Sequence, residues 1–326
     1  RRSRVTKYFL GVDIGGTKSH ALLADESGRA IALGTEGAGN HESVGYEQMV
    51  NVMQNIINQT LTTAAINLNE IAGAGFGIAG YDWVSEREIM LASIAKTGIT
   101  CPLEIVNDTL IGLVAGATEG WGVAVVSGTG CNCWGWDKER NIGRVTGHGN
   151  RMAEGAGGTE LVEKAVQAVS LEWSRRGKPT SITSEFVKAC GAKDTTELVE
   201  GLCLGIYDID ASFAPVVFRC AEDGDEVARE VIRWAGQQLG NMAVGVIHQL
   251  DIESLEFEVI LVGSMYDGGT ILIDPMTESI HSVAPLANLI RLNTIPAVGG
   301  VLLGMDAIGK RIPGVHAQLI KTTRRF

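Results

Sequence analysis

The segment Phe9–Ala24 constrains this chain more than any other. An apolar run through Ile14 reads as a strand, turns on Gly15 and Gly16 beside Thr17 and Lys18, and resumes as a second apolar strand. Glycines without a Cβ let backbone N–H groups approach an anion such as a phosphate closely. Thr17 adds a hydroxyl and Lys18 a positive charge. Asp13, at the mouth of the turn, is placed to orient a hydrated Mg²⁺, because hard cations prefer carboxylate and water oxygens. A plain tight-turned hairpin is the alternative, and one Gly-Gly pair does not separate the two.

Two further turns of this kind follow. The apolar run Gly122–Ser127 leads into Gly128, Thr129 and Gly130, and the run Phe257–Val262 ends on Gly263 and Ser264. Between the turn at Gly15 and the one at Gly128, a short strand over 103–106 delivers Asp108 just before an expected helix over 111–117. Ligand sites in α/β proteins sit at such strand ends. Phosphoryl transfer to a hydroxyl needs positioned phosphates and a carboxylate to take the hydroxyl proton, which is the role open to Asp108. The alternative is a helix cap, for which Asn107 and Asp108 are both suited.

With these motifs in this order, the chain resembles the sugar kinase, heat-shock ATPase and actin superfamily. Within it the likeness is to the N-acetylglucosamine kinase and BadF-type ATPase family, from about Tyr8 to Ile308. The resemblance makes Gly15, Gly16, Thr17 and Lys18 the first phosphate motif, with Mg²⁺ near Asp13. Ser127, Gly128, Thr129 and Gly130 match the second, and Gly263 and Ser264 the adenosine motif. It assigns Asp108 as catalytic base and Asn40, His41 and Asn132 as sugar contacts. Pro296–Gly304 matches the C-terminal Gly-rich turn and helix.

One stretch departs from the family. Where Gly-Asp-Glu-Gly-Ser is usual, an ungapped match puts Ala153–Gly157, so Glu154 takes the Asp position with one more methylene. His148 stands where a tryptophan is frequent. Glu154 remains a sugar-hydroxyl candidate, with a helix-start role as its alternative. Asp82, after the Gly-rich run 75–80, is a further candidate for a sugar hydroxyl. That run matches G-x-G-x-x-G but lies in a strand's tail rather than opening a first βαβ helix, so it is not a dinucleotide fingerprint. A strand passing close to a ligand is the expectation there.

The resemblance implies an ATP-dependent kinase of N-acetylglucosamine, glucosamine or a related hexose, phosphorylating the C6 hydroxyl with ATP and Mg²⁺. The alternative is a BadF-type ATPase that activates a 2-hydroxyacyl-CoA dehydratase or related reductase through an iron–sulfur cluster. For that role Cys131 and Cys133 are the one close cysteine pair. A non-catalytic sugar sensor is a third reading.

Composition narrows the classes. A net charge of −11 argues against a nucleic-acid face. No run of 18 apolar residues occurs, which leaves no membrane span. The basic Arg1–Arg4 is followed by no apolar signal core. Six scattered cysteines without Cys-x-x-Cys spacing suit reduced thiols in the cytoplasm.

The fold class expected is α/β, with two RNase H-like (actin-like ATPase) domains facing a nucleotide and sugar cleft. The first covers 1–120, rejoined by a C-terminal helix over about 306–326. The second covers 121–305 and carries a helical insertion over about 156–250. Helices are expected over 46–65 and 84–96, and a Gly-rich strand over 71–78. A homodimer through the helical part of the second domain is expected.

Overall fold

The computed structural model describes residues 6–326, and the basic run Arg1–Arg4 lies outside the described residues. Strands β1 (Tyr8–Ile14), β2 (Ser19–Asp25) and β3 (Ala30–Glu36) form an antiparallel meander. Helix α1 (His41–Ala64) leads to β4 (Ile71–Ile78), which lies parallel to β1. Helix α2 (Arg87–Ala95), β5 (Leu103–Asn107), parallel to β4, and α3 (Asp108–Gly116) complete a sheet of order β3-β2-β1-β4-β5.

The core of this part packs Met49, Val52, Met53, Ile56, Ile57 and Leu61 of α1 with Leu10, Val12, Leu23 and Phe76 of the strands. Each such side chain, fully buried, contributes about 1.5–3 kcal/mol. The helix starts five residues before its apolar periodicity. Asn40 Oδ1 accepts from Glu42 N–H (3.0 Å) and caps it, while Gly45, at φ 80°, interrupts the helix before the periodic stretch begins. That interruption is why the pattern reads only from Tyr46. Over 84–96, a short 3₁₀ turn at Val84–Glu86 precedes α2.

The second sheet repeats the plan. Its strands are β6 (Gly122–Ser127), β7 (Cys131–Trp136) and β8 (Ile142–Val145). Five helices follow: α4 (Gly158–Trp173), α5 (Ser181–Cys190), α6 (Thr195–Cys203), α7 (Ala214–Glu222) and α8 (Glu226–Leu250). After β9 (Phe257–Val262), α9 (Thr270–His281) and β10 (Ala287–Arg291), the sheet order is β10-β9-β6-β7-β8. Read from β8, this is the first sheet's order with strands renumbered. Helices α10 (Ala297–Asp306) and α11 (Val315–Thr323) end the described chain.

Two compact units result: the described residues up to Ala124 with Ile290–Phe326, and Val125–Leu289. The first unit takes up the chain from 290, earlier than the return at about 306 read from the sequence, because α10 packs on β1 and β4. Glycines make that packing possible. A Cβ on Gly11 would overlap the Ala297 carbonyl oxygen, and one on Gly75 that of Gly300. A Cβ on Gly73 would likewise overlap the Gly304 oxygen, and Gly77 abuts the Ile111 side chain. The glycines of β4 therefore seat helices α10 and α3, and the expectation of a ligand at that strand is corrected. Among the described residues, no helix is long and apolar enough to cross a membrane.

Candidate functional site

In the first unit, the β1–β2 turn leaves Gly16, Thr17 and Lys18 exposed, and a Cβ on Gly16 would meet nothing within 4 Å. Its base is held: Gly39 N–H donates to the Gly15 carbonyl (3.0 Å), and Ala79 N–H to that of Ile14 (2.8 Å). Asp13 is buried near the end of β1, opposite His20, whose Nδ1 lies 3.8 Å from Asp13 Oδ2. Burial pushes the Asp13 carboxyl above its ordinary range, and His20 partly offsets this. A desolvated carboxylate beside an open Gly turn is the donor chemistry that suits a hard divalent cation.

A second cluster in this unit joins three separate segments: the start of α1, the stretch after β4 and the β5–α3 junction. Asn107 caps α3: its Oδ1 accepts from Thr109 N–H (2.9 Å). Asp108 thus stands at the first position of α3 without being its cap. Asn107 Nδ2 donates to Asp82 Oδ1 (3.0 Å), and both residues are buried. Glu86 Oε2 accepts from Asp82 N–H (3.1 Å) and Trp83 N–H (3.0 Å). His41 Nε2 donates to Glu86 Oε1 (3.3 Å), and the His41 ring stacks on Tyr46 with centroids 4.6 Å apart. His41 and Asp82 are thus joined through Glu86, Asn40 caps α1 beside His41, and Asp108 follows Asn107 at the start of α3. Nothing in the sequence marks Glu86, which reads as one acid among several on a polar helix.

In the second unit, the turn after β6 meets the start of α4. Gly158 N–H donates to the Gly128 carbonyl (2.7 Å), and Thr159 N–H and Oγ1 both donate to that of Thr129 (3.0 Å each). Gly263, at φ 113°, lies so close that a Cβ there would overlap the Ser127 carbonyl oxygen. Ser127 itself is fully buried, and its hydroxyl donates to the Ala156 carbonyl (3.0 Å). Beside Gly128, Thr129 and Ser264 opens a cavity of about 700 Å³, within the size range of small-molecule sites.

The cavity is lined further by Gly158 and Thr159, by Pro215, Phe218 and Arg219 on α7, and by Met265 and Gly268. The α4 N-terminus brings the positive end of its dipole to this edge of the cavity, while its Gly158 and Thr159 N–H groups hold the Gly128 and Thr129 carbonyls. Phe218 and Met265 supply an apolar surface of the kind that takes a flat base. Sequence reasoning missed Thr159 and Phe218. A Gly-Gly-Thr before an amphipathic helix is the one signal for the former, and nothing marks Phe218.

Four other candidates, Glu154, Asn132, Cys131 and Cys133, lie on or around β7 in this unit. Glu154 Oε2 accepts from Gly147 N–H (2.9 Å), His148 N–H (3.1 Å) and Thr146 Oγ1 (3.1 Å). Its carboxylate holds the 146–148 loop, and Glu160 is the acid at the α4 start instead, accepting from Gly157 N–H (2.9 Å). Gly147 packs on β7 with a Cβ position 3.0 Å from Asn132 Cβ, so the loop held by Glu154 lies over Asn132. Cys131 Sγ accepts from Ala156 N–H (3.0 Å) and donates to the Glu154 carbonyl (3.5 Å). Burial pushes the Cys131 thiol up to about 12 and the Cys133 thiol well above its ordinary value. Neutral thiols sealed inside the unit do not fit thiolate ligation of a cluster shared with a partner.

The chain matches known proteins along nearly its whole length. It is 24% identical over 299 residues to the N-acetylmuramic acid/N-acetylglucosamine kinase of Clostridium acetobutylicum, covering 91% of this chain and 98% of that one. It is 23% identical over 317 residues to the N-acetyl-D-glucosamine kinase of Dictyostelium discoideum, covering 92% and 98%. Among solved structures, a candidate N-acetylglucosamine kinase from Chromobacterium violaceum superposes with a TM-score of 0.67 at 19% identity, over 92% of this chain and 99% of that one. A ROK family glucokinase from Streptomyces griseus, in complex with glucose and AMPPNP, gives 0.55 at 17% identity, over 98% and 100%. The fold is therefore α/β with two RNase H-like domains, as in actin-like ATPase sugar kinases. The profile of the BadF/BadG/BcrA/BcrD ATPase family matches residues 10–304, and the chain belongs to that family.

Proposed function

We propose that the protein is an ATP-dependent kinase that phosphorylates N-acetylglucosamine or a closely related amino sugar at its C6 hydroxyl. One observation carries this reading: two curated relatives from distant organisms, each covered over 98% of its length, are named as kinases of N-acetylated amino sugars. The geometry supports it. In the second unit, Gly128, Thr129, Gly158 and Thr159 line the cavity that we assign to ATP, with Phe218, Met265 and Ser264 toward the nucleoside.

In the first unit, the exposed Gly16, Thr17 and Lys18 offer N–H groups, a hydroxyl and a cation to phosphate oxygens. Asp108 takes the sugar hydroxyl proton, and Asn40, His41, Asp82, Asn132 and Glu154 orient the sugar directly or through the loops they hold. Asp13 would hold Mg²⁺, which neutralises phosphate charge when bound.

The redox-ATPase alternative loses support from the burial of Cys131 and Cys133. We place the protein in the cytoplasm, where its six free cysteines stay reduced. The homodimer remains a proposal, and exposed Leu204 and Ile206 on the helical part are the side chains it would cover.

The test is ADP release with Mg-ATP across glucose, glucosamine, N-acetylglucosamine, N-acetylmannosamine and N-acetylmuramic acid. Turnover with an N-acetylated sugar is expected. Silence across the panel with ATP still bound would move the assignment to a sensor or a redox ATPase.

A further inference from the structure

The network under Asp82 has no counterpart among the motifs that define the phosphate sites. From it we infer that Glu86 is a positioning residue that sets the sugar-binding edge of the first unit and the bearing of Asp108. The inference rests on the kinase reading for its catalytic part and on geometry alone for its structural part.

Glu86 ties the start of α1 to the segment after β4 through one carboxylate. Its two oxygens divide the work. Oε1 accepts a hydrogen bond from His41 Nε2, and Oε2 accepts from two consecutive backbone N–H groups, of Asp82 and Trp83. A carboxylate accepting two backbone N–H bonds and an imidazole N–H is held by charge-assisted bonds, about twice as strong as neutral ones. Its side chain is only 20% exposed and that of His41 6%, so little water competes for these bonds. Asp82 is then fixed from both ends: its N–H by Glu86, its Oδ1 by Asn107 Nδ2. Asn107 spends its other atom on the α3 cap, next to Asp108. Three short links therefore lead from Glu86 to the first turn of α3.

This arrangement answers a chemical need. A base acting on one hydroxyl of a polyol must be aimed at that hydroxyl, and an error of about 1 Å can cost roughly 100-fold in rate. Asp82 sits on a loop and His41 in the short first turn of α1 that Gly45 cuts off, and such segments hold a site only when other groups lock them. Glu86 supplies that lock with no direct contact to the reacting atoms. The β1–β2 turn, with Thr17 and Lys18, lies outside the network, so Glu86 governs sugar and base rather than phosphate.

The test compares Glu86→Ala and Glu86→Gln with the parent protein by steady-state kinetics and by amide hydrogen exchange. Glu86→Ala is expected to raise KM for the sugar and lower kcat by roughly 10- to 100-fold, with KM for ATP within about twofold of the parent. Glu86→Gln keeps an oxygen for the two N–H groups and should recover most of the loss. Exchange at the Asp82 and Trp83 amides should speed up by at least about tenfold in Glu86→Ala, the equivalent of one lost hydrogen bond.

Unchanged sugar KM and kcat in an active, folded Glu86→Ala protein would overturn the inference. So would KM values for ATP and sugar that rise together. If the parent is silent on every sugar, the kinase reading fails, and the exchange rates still decide the structural claim. Unchanged exchange at Asp82 and Trp83 would then overturn it.

Discussion

Asn107 Nδ2 donates to Asp82 Oδ1 across 3.0 Å, while the other side-chain atom of Asn107 caps the helix that begins at Asp108. One buried amide thus serves both a structural and a site-forming partner. Replacing it with Ala removes the cap, worth ~1 kcal/mol. It also strips Asp82 of a buried donor, worth about 1–3 kcal/mol. Asn107→Asp keeps the cap but sets two carboxylates against each other, which raises the folded-state pKa of the pair. A raised carboxyl pKa gives stability that is present at low pH and lost as pH rises through it. Urea denaturation should therefore find Asn107→Asp relatively more stable at pH 5 than at pH 7, and Asn107→Ala without that difference.

Because Asn107 carries the cap, Asp108 is open to substitution without loss of the helix. Asp108→Asn should stay folded, losing about 0.3–1 kcal/mol in urea unfolding for the first-turn charge, while kcat for sugar phosphorylation falls by roughly 10²–10⁴, the contribution of a general base. Normal turnover in Asp108→Asn would remove Asp108 from the chemistry.

The glycines separate into two kinds, and substitution should tell them apart. Gly16 and Gly128 have room for a Cβ and no left-handed φ, so Ala there leaves the fold intact. If phosphate oxygens approach the backbone of these turns, an added Cβ blocks them and KM for ATP should nonetheless rise about tenfold, as for one lost charge-assisted bond. Gly263→Ala must instead overlap the Ser127 carbonyl at a φ of 113°. It should destabilise the second unit by at least ~1–3 kcal/mol in thermal or urea unfolding.

Cys131 has a thiol pushed up to about 12 by burial, and Cys133 is fully enclosed. At pH 8 the folded protein should leave both unmodified by iodoacetamide while exposed Cys203 reacts, as peptide mass spectrometry would show. Protein prepared without oxygen should also lack the absorption near ~400 nm of thiolate-held iron–sulfur clusters. A brown preparation would revive the redox alternative.

Strands were legible where apolar runs stopped at Gly turns. Gly122–Ser127 and Ile71–Ile78 match β6 and β4 residue for residue. The start of α1 was not, because His41–Val44 precede Gly45 and carry no apolar period of their own. Motif residues Gly128, Thr129 and Ser264 line the second unit's cavity, yet Phe218 and Arg219 reach it from a helix some 90 positions from the turn. Such convergence is a product of helix packing and leaves no local spacing to read. Glu86, and the loop-holding role of Glu154, were hidden for a related reason: their carboxylates bind backbone N–H groups, which every residue type presents alike. The glycines of β4 misled in the opposite sense, since a close helix and a close ligand make the same demand on a strand.

The seat that Gly11, Gly73 and Gly75 form for α10 bears on how the chain is made. A ribosome delivers the first sheet nearly 200 residues before the helix that covers one of its faces. Until Ala297–Asp306 emerges, β1 and β4 show bare glycine backbone and apolar side chains to water. The second unit is contiguous and needs no such wait. The usual vectorial order, in which the leading part of a chain folds first, is therefore inverted. During synthesis the nascent first unit is the segment that chaperones have to shield.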